Sequence, residues 1–313
     1  MKLTQLAGAA TAALVLSSSL AEAATKVTLM YTATAAFAAA FIAKDQGFFE
    51  KHGVDVDLKL NPNTSLVATA VASGSAEVGI TTPTVAFQAV DNGIPLVAFA
   101  STNVFPDPSA AGLVASPTSG IAGPKDVEGK KIGVPGIGGL LDVVMREWVA
   151  VNGGDPSKIN IVEISLPQTA DVIKSGQVDG VAGVDPFISR AVDLGVGKIV
   201  GDFTTVIPPG TVGGIFVTTK AWADAHKDAV QGMQAALDDA LAYAKTNQDS
   251  ARESLAKHTT LPPKVVATLK WPNLSTHLSV DTSLKFWNDL AVRQHLINAS
   301  IDLKTFVIPY AAQ

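Results

Sequence analysis

Short apolar strands alternate with helices along the first half of the chain. Residues 27–30 are apolar, and residues 54–60 alternate apolar with polar side chains, which is typical of a strand with one buried face. The pattern predicts helices over residues 35–44 and 65–73, followed by a short strand at residues 77–80. Because strands that alternate with helices usually pair in parallel, we expect a sheet covered by helices on both faces.

A second unit of the same kind follows the first. Strands and helices alternate again between residues 131 and 182, and Ser73-Gly-Ser-Ala-Glu77 of the first unit returns as Ser175-Gly-Gln-Val-Asp179. Residues 213–218 then return the chain to the first unit, and residues 222–296 are predicted to be mostly helical. Two such lobes in one chain create a cleft, which is a preferred place for small ligands.

The repeat gives a prediction for the lobe boundaries. Lobe 1 is expected to contain residues 24–114 and 217–313, and lobe 2 residues 115–216. The chain should cross between the lobes near Leu113 to Ser116 and again near Ile215 to Thr218.

The first 23 residues have the pattern of a secretory signal. Lys2 precedes an apolar run from Leu6 to Leu16, and Ala21-Glu-Ala23 resembles a cleavage site, so the mature chain should begin near Ala24. No later stretch is long and apolar enough to predict a transmembrane helix.

The composition excludes several kinds of site and partner. The chain has no cysteine, which excludes disulfides, thiol catalysis, cysteine metal sites and a lipid-modified cysteine. Its net charge is −5, and no Lys/Arg cluster is evident, so nucleic acid is not an expected partner. The five histidines are scattered without helical spacing, which gives no indication of a metal site.

Five segments follow predicted strands and should line the cleft, because ligands of open α/β sheets lie beyond the carboxyl ends of the strands. These segments, residues 31–37, 81–84, 102–109, 136–142 and 183–187, contain no Lys or Arg. Within them the candidate ligand-binding residues are Tyr31, Thr34, Phe37, Thr81, Thr82, Asn103, Gly138, Gly139, Leu140, Asp185 and Phe187.

The aromatic and hydroxyl candidates each have two interpretations. Tyr31 and Phe37 could sandwich a planar ligand, although aromatic residues at such spacing are often part of a core. The hydroxyls of Thr81 and Thr82 could meet a solute, or they could cap the helix that follows.

The glycines and the carboxylate leave the ligand charge open. The unpaired first amides of the helix that follows Gly136-Ile-Gly-Gly139 could hold an anion, or the glycines could serve an ordinary turn. A dinucleotide motif would need a further glycine that is missing. Asp185 could meet an ammonium group, or it could cap a helix that begins at Pro186. The residues alone favour a zwitterionic, amine-bearing or neutral planar ligand over a simple inorganic anion.

Several motifs occur in the order of a known family. They are Gly47-Phe-Phe-Glu-Lys-His-Gly53, Ser73-Gly-Ser-Ala-Glu-Val-Gly79, Lys130-Lys-Ile-Gly-Val-Pro135, Gly176-Gln-Val-Asp-Gly180, Asp185-Pro186 and Lys220-Ala-Trp222. The set resembles the periplasmic binding proteins of ABC importers for nitrate, sulfonate, taurine and thiamine precursors. The related thiamine-precursor enzymes use a cysteine-rich motif that is absent here.

The resemblance implies a type II-like, two-lobed α/β fold in which each lobe has a mainly parallel sheet and two crossing strands form the hinge. It implies a periplasmic monomer without a cofactor or a lipid anchor. Such a protein captures a small organic solute, either sulfonate- or taurine-like, nitrate-like, or a pyrimidine or other aromatic heterocycle. It would deliver the solute to an ABC permease and ATPase complex.

Two alternatives remain open. One is an exported enzyme of the pyrimidine-precursor synthase type, which would need a nucleophile or a metal cluster in the cleft. The other is a receptor that presents its closed form to a sensor protein, which would depend on the same closed state as transport.

Overall fold

The computed structural model describes residues 24–107, 111–259 and 261–310, so the predicted signal segment lies outside the described residues. In chain order the strands are β1 (Thr25–Tyr31), β2 (Val54–Leu60), β3 (Val78–Thr81), β4 (Leu96–Ser101), β5 (Ala111–Ala115), β6 (Lys131–Val134), β7 (Asn160–Glu163), β8 (Gly180–Val184), β9 (Lys198–Asp202) and β10 (Ile215–Thr219). The α-helices are α1 (Ala38–Asp45), α2 (Phe48–Lys51), α3 (Ser65–Ala72), α4 (Pro83–Asp91), α5 (Leu140–Val151), α6 (Thr169–Lys174), α7 (Phe187–Asp193), α8 (Lys220–Ala225), α9 (Lys227–Thr246), α10 (Gln248–His258), α11 (Pro263–Thr268), α12 (Lys285–Arg293) and α13 (Leu303–Phe306).

The strands form two mixed five-stranded sheets of equivalent topology. The first sheet has the order β2-β1-β3-β10-β4 and belongs to lobe 1, and the second has the order β7-β6-β8-β5-β9 and belongs to lobe 2. In each sheet three strands pair in parallel, and one strand, β10 or β5, runs antiparallel to both of its neighbours. The predicted two-lobed α/β fold is confirmed.

Strand β2 lies at an edge of the first sheet and has one buried face, as its alternation predicts. Val54 and Val56 are fully buried, whereas Asp55 and Asp57 are exposed. Helix α1 is different, because all residues from Ala38 to Ala43 are buried. It packs against α9 and α10, so the apolar run of this segment is a core helix of lobe 1.

The first crossing between the lobes lies earlier than predicted. Strand β5 pairs with both β8 and β9, so it belongs entirely to the second sheet and the chain crosses between Ser101 and Ala111. The apolar run at residues 111–115 is a central strand of lobe 2, and for that reason the expected crossing at Leu113 to Ser116 is wrong. The second crossing ends at Ile215, where β10 enters the first sheet.

The two crossing segments pair with each other and form what we call the hinge ladder, Thr102–Phe105 against Thr211–Gly214. The amide of Thr102 donates to the carbonyl of Gly214 at 3.1 Å, and the amide of Phe105 donates to the carbonyl of Thr211 at 2.8 Å. Residues 273–276 pair along the other side of the first segment. The first crossing segment, Thr102–Phe105, is therefore the middle strand of a small three-stranded arrangement.

The C-terminal helices also support the hinge ladder. The indole of Trp287 on α12 is fully buried and donates from Nε1 to the carbonyl of Val212 at 2.7 Å. Among the described residues no helix is both long and apolar enough to cross a membrane.

An ionic contact joins α1 to α10 in lobe 1. The Asp45 carboxylate accepts from Nζ of Lys257 at 2.7 Å and lies 2.9 Å from Nε2 of His258. Burial opposes ionisation of this carboxyl group, but the hydrogen bonds and charges of Lys257 and His258 outweigh burial and lower its pKa below the ordinary 3.8.

The Asp45 contact predicts a pH-dependent contribution to stability. Because the folded pKa is depressed, the contribution is complete above the unfolded pKa near 3.8 and is lost as the pH falls through the lower folded pKa. We expect Asp45→Asn to lower the free energy of unfolding by about 1–3 kcal/mol at pH near neutrality, since it removes charged hydrogen bonds. Urea unfolding of the parent chain and of Asp45→Asn, from neutral to strongly acidic pH, measures this difference in the free energy of unfolding. A difference that persists unchanged in strong acid would contradict the assignment.

Thr81 gives a second prediction about stability. Its side chain is fully buried at the end of β3, and its hydroxyl has no hydrogen-bond partner. Thr81→Val keeps the shape and removes an unsatisfied polar group, so the free energy of unfolding should stay the same or rise by about 1 kcal/mol. Thr169→Val is the matched control, because the buried Thr169 hydroxyl donates to the carbonyl of Leu166 at 2.7 Å. Equal destabilisation of both variants would disprove the prediction.

Candidate functional site

A cavity of about 100 Å³ lies between the lobes at the carboxyl ends of the sheet strands. Lobe 1 contributes the loops after β1, β2 and β3, the hinge ladder contributes the floor, and lobe 2 contributes the loops after β6, β7 and β8. Each loop follows a strand directly, so the sheets fix where its first residues lie. This is the place that open α/β sheets offer to a ligand.

The structure brings most of the predicted site residues to this cavity. Those that line it are Thr34, Phe37, Thr82, Asn103, Gly139, Leu140 and Asp185. They come from both lobes and from the hinge ladder, so one small molecule could contact all three parts at once.

Four predicted residues lie elsewhere. Tyr31 packs edge to face on Phe41, and its hydroxyl donates to the carbonyl of His258 at 2.9 Å, so it belongs to the lobe 1 core and cannot sandwich a ligand with Phe37. Burial raises its pKa above the ordinary value. Phe187 is buried in the core of lobe 2.

Thr81 and Gly138 also lie outside the cavity lining. Thr81 is buried in the first sheet, and the neighbouring Thr82 reaches the cavity instead. Gly138 contacts lobe 1 directly, because its carbonyl accepts from Oγ1 of Thr84 at 2.7 Å and from Nε2 of Gln88 at 3.1 Å. These bonds join the lobes beside the cavity.

The amides of the glycine loop before α5 are used within the protein. The amide of Ile137 donates to Glu163 and that of Gly138 to Asp142, both at 2.9 Å, while the amide of Gly139 donates to the carbonyl of Gly136 at 3.1 Å. The Asp142 carboxylate already places negative charge at this helix N-terminus. The three loop amides are therefore occupied within the protein.

Asp185 is the charged side chain of the cavity. No Lys, Arg or His occurs among the described residues that line it. Its Oδ1 accepts from Oγ of Ser189 at 2.5 Å. Helix α7 begins at Phe187, with Pro186 rather than Asp185 at the capping position. The carboxylate is thus held by one hydroxyl and does not cap the helix.

Asn103 presents a fixed amide on the hinge ladder. Its Nδ2 donates to Oδ2 of Asp107 at 2.6 Å, and its Oδ1 accepts from Oγ1 of Thr102 at 2.9 Å. A Cβ atom at Gly213 would lie 2.5 Å from Oδ1 of Asn103, so only glycine leaves room for this amide. The orientation of Asn103 is set by three contacts with the hinge region.

Several further residues of the cavity wall were not singled out from the sequence. Thr32 and Phe105 lie in segments that were expected to line the cleft. Thr64 and Leu166 lie outside those segments and follow the edge strands β2 and β7. Applying the strand-end rule to every parallel strand would have included the loops that contain Thr64 and Leu166.

Part of this chain is similar in sequence to known proteins. A stretch of 145 residues is 27% identical to the 4-amino-5-hydroxymethyl-2-methylpyrimidine phosphate synthase of Schizosaccharomyces pombe and covers 46% of this chain and 40% of that protein. A putative binding protein of Brucella abortus is 24% identical over 218 residues, which cover 69% of this chain and 66% of the relative. The matched stretches therefore span less than two thirds of the length of these relatives.

Solved structures share the fold over almost the whole chain. The alkanesulfonate-binding protein SsuA from Xanthomonas axonopodis pv. citri, bound to MOPS, superposes with a TM-score of 0.78 at 20% identity and covers 92% of this chain and 100% of that one. At this identity the likeness establishes the fold alone. The model of the family described as NMT1/THI5 like matches residues 34–251, more than half of the sequence, and the chain belongs to that family.

Proposed function

We propose that this protein is an extracytoplasmic solute-binding protein that encloses a small organic solute between its lobes and delivers it to an ABC permease and ATPase complex. The observation that carries the proposal is the cavity of about 100 Å³ whose walls come from both lobes and from the hinge ladder. A ligand in this position favours the closed arrangement, because it contacts both lobes only when they are together. The similarity to binding proteins supports the same role.

The charge of the wall indicates the charge of the solute. An anion buried without a cation loses its hydration and needs hydrogen-bond donors in its place. Here the wall offers Asp185 as its charged group, which repels an anion, and the amides of the glycine loop are occupied, so that the first amides of α5 are the remaining donors of this segment. The solute that fits is neutral or carries an amine next to Asp185, with an apolar or planar part against Phe37, Phe105 and Leu140. A nitrate-like or simple sulfonate ligand fits this wall less well.

An exported enzyme is the second candidate, and the partial similarity to the yeast synthase is the observation that favours it. The described residues contain no group of three or more His, Asp or Glu side chains placed to hold a metal ion. The chain also lacks cysteine. Product formation from a pyridoxal-type substrate, followed by mass spectrometry, would support this candidate over the receptor.

The receptor function predicts ligand-induced stabilisation that depends on the cavity. A bound solute at a thousandfold excess over its Kd stabilises the folded state by about 4 kcal/mol, which raises the melting midpoint by several degrees. Leu140→Trp should abolish this rise because the indole fills the cavity. Leu194→Trp should retain it, since Leu194 is 58% exposed on lobe 2 and lies outside the lining. A thermal-shift screen of amines, heteroaromatic compounds and sulfonates measures the rise in melting midpoint for both variants. A rise that survives Leu140→Trp would place the ligand elsewhere.

The assigned role of Asp185 predicts a charge-selective loss of affinity. Asp185→Asn should weaken binding of an amine ligand about tenfold or more, because a charged hydrogen bond contributes about 1.5–3 kcal/mol. It should change the affinity for a neutral analogue of the same shape much less. Asp193→Asn makes the same change of net charge on an exposed residue of α7 and should leave both affinities unchanged. Isothermal titration measures them, and equal losses for the amine and its neutral analogue would refute the role.

A further inference from the structure

A second cavity of about 170 Å³ adjoins the first. The two cavities share four wall residues, Thr32, Thr64, Pro135 and Leu166, which we call the neck. Beyond the neck the second cavity is lined by the loop after β2 and by the loop after β7, and none of its lining residues among the described parts of the chain is charged. Both cavities therefore open onto the same four side chains.

The neck contains two largely buried threonines whose hydroxyls have no protein partner among the described residues. Thr32 is 9% exposed and Thr64 is 7% exposed, and neither hydroxyl forms a hydrogen bond within the described residues. Other buried threonines of the site differ, because the hydroxyls of Thr84 and Thr102 both have partners. A buried polar group usually has a partner, and one that faces a cavity can obtain it from the cavity's occupant. Two such hydroxyls at one constriction point to a polar group between them.

We propose that the second cavity is a compartment of the ligand site and that the solute has two parts. Its head lies in the first cavity with Asp185, a polar linking group meets Thr32 and Thr64 at the neck, and an uncharged tail extends into the second cavity beside Leu60, Pro62 and Pro167. The inference rests on the proposed receptor function and adds the solute's length and the position of its polar link. It also assigns ligand contacts to Thr32 and Thr64.

The test compares short and long members of two probe pairs. One pair is benzylamine and the same amine with a para methoxyethoxy chain, and the other is benzenesulfonate with and without that chain. The first cavity should prefer either the amine pair or the sulfonate pair. Within the preferred pair, the long member should bind at least about tenfold more tightly than the short member, because its chain adds a hydrogen bond and buried apolar surface. Isothermal titration with the purified chain gives the four affinities.

Substitutions then assign the gain to the neck and to the second cavity. Thr32→Val and Thr64→Val should each weaken the long probe about threefold to tenfold and leave the melting midpoint of the free protein unchanged or higher. Thr81→Val is the matched control, because its hydroxyl is also buried and unpartnered but lies outside both cavities. Ser165 lines only the second cavity, so Ser165→Phe should remove the advantage of the long probe while Ser165→Ala retains it.

The outcomes separate this inference from the function on which it depends. If short probes bind and the long ones bind no more tightly, the receptor role stands and the second compartment does not exist. The same conclusion follows if Ser165→Phe leaves the affinity for the long probe unchanged. If none of the four probes binds and native mass spectrometry finds no solute bound to the purified chain, the receptor function falls together with the inference.

Discussion

The antiparallel pairing of the hinge ladder is the constraint on which the arrangement of this molecule depends. It forms where the chain crosses between the two sheets, and it brings Thr102–Phe105 against Thr211–Gly214. The last third of the chain folds back on lobe 1 and holds the ladder through residues 273–276 and through Trp287. The ladder is thus anchored on lobe 1.

The cavity floor is part of the same ladder, which links ligand contact to lobe position. Asn103, Phe105 and Gly213 line the cavity, and Asn103 is held by Thr102 and Asp107. Under the proposed function, a ligand on this floor touches residues of the segments that connect the lobes. Direct bonds from Thr84 and Gln88 to the Gly138 carbonyl add to the closed arrangement. Gly138 has a positive φ of 72°, so its carbonyl can face lobe 1 without side-chain strain.

Much of the fold could be predicted from the sequence, because it depends on local patterns. The alternation in β2 predicts a strand with one buried face, and the apolar run of α1 predicts a buried segment. The repeated α/β unit predicts that the chain forms two similar lobes. The first crossing was placed too late for a physical reason. The run at residues 111–115 is apolar whether it ends one lobe or begins the other, and only long-range pairing with β8 and β9 decides between these cases.

The candidate site was predictable to the level of loops, but only partly to the level of side chains. The strand-end rule identifies a loop, whereas the direction of each side chain depends on packing. For this reason Thr81 is buried within lobe 1 whereas Thr82 lines the cavity, and Phe37 lines the cavity whereas Tyr31, which is buried like Phe37, does not. The glycine loop shows the same limit. Its sequence is compatible with an anion cradle, yet Glu163 and Asp142, which are distant or one turn away in the chain, occupy its amides. Ligand charge in such a fold therefore depends on which polar groups remain free after folding, and the sequence of a single loop does not determine this.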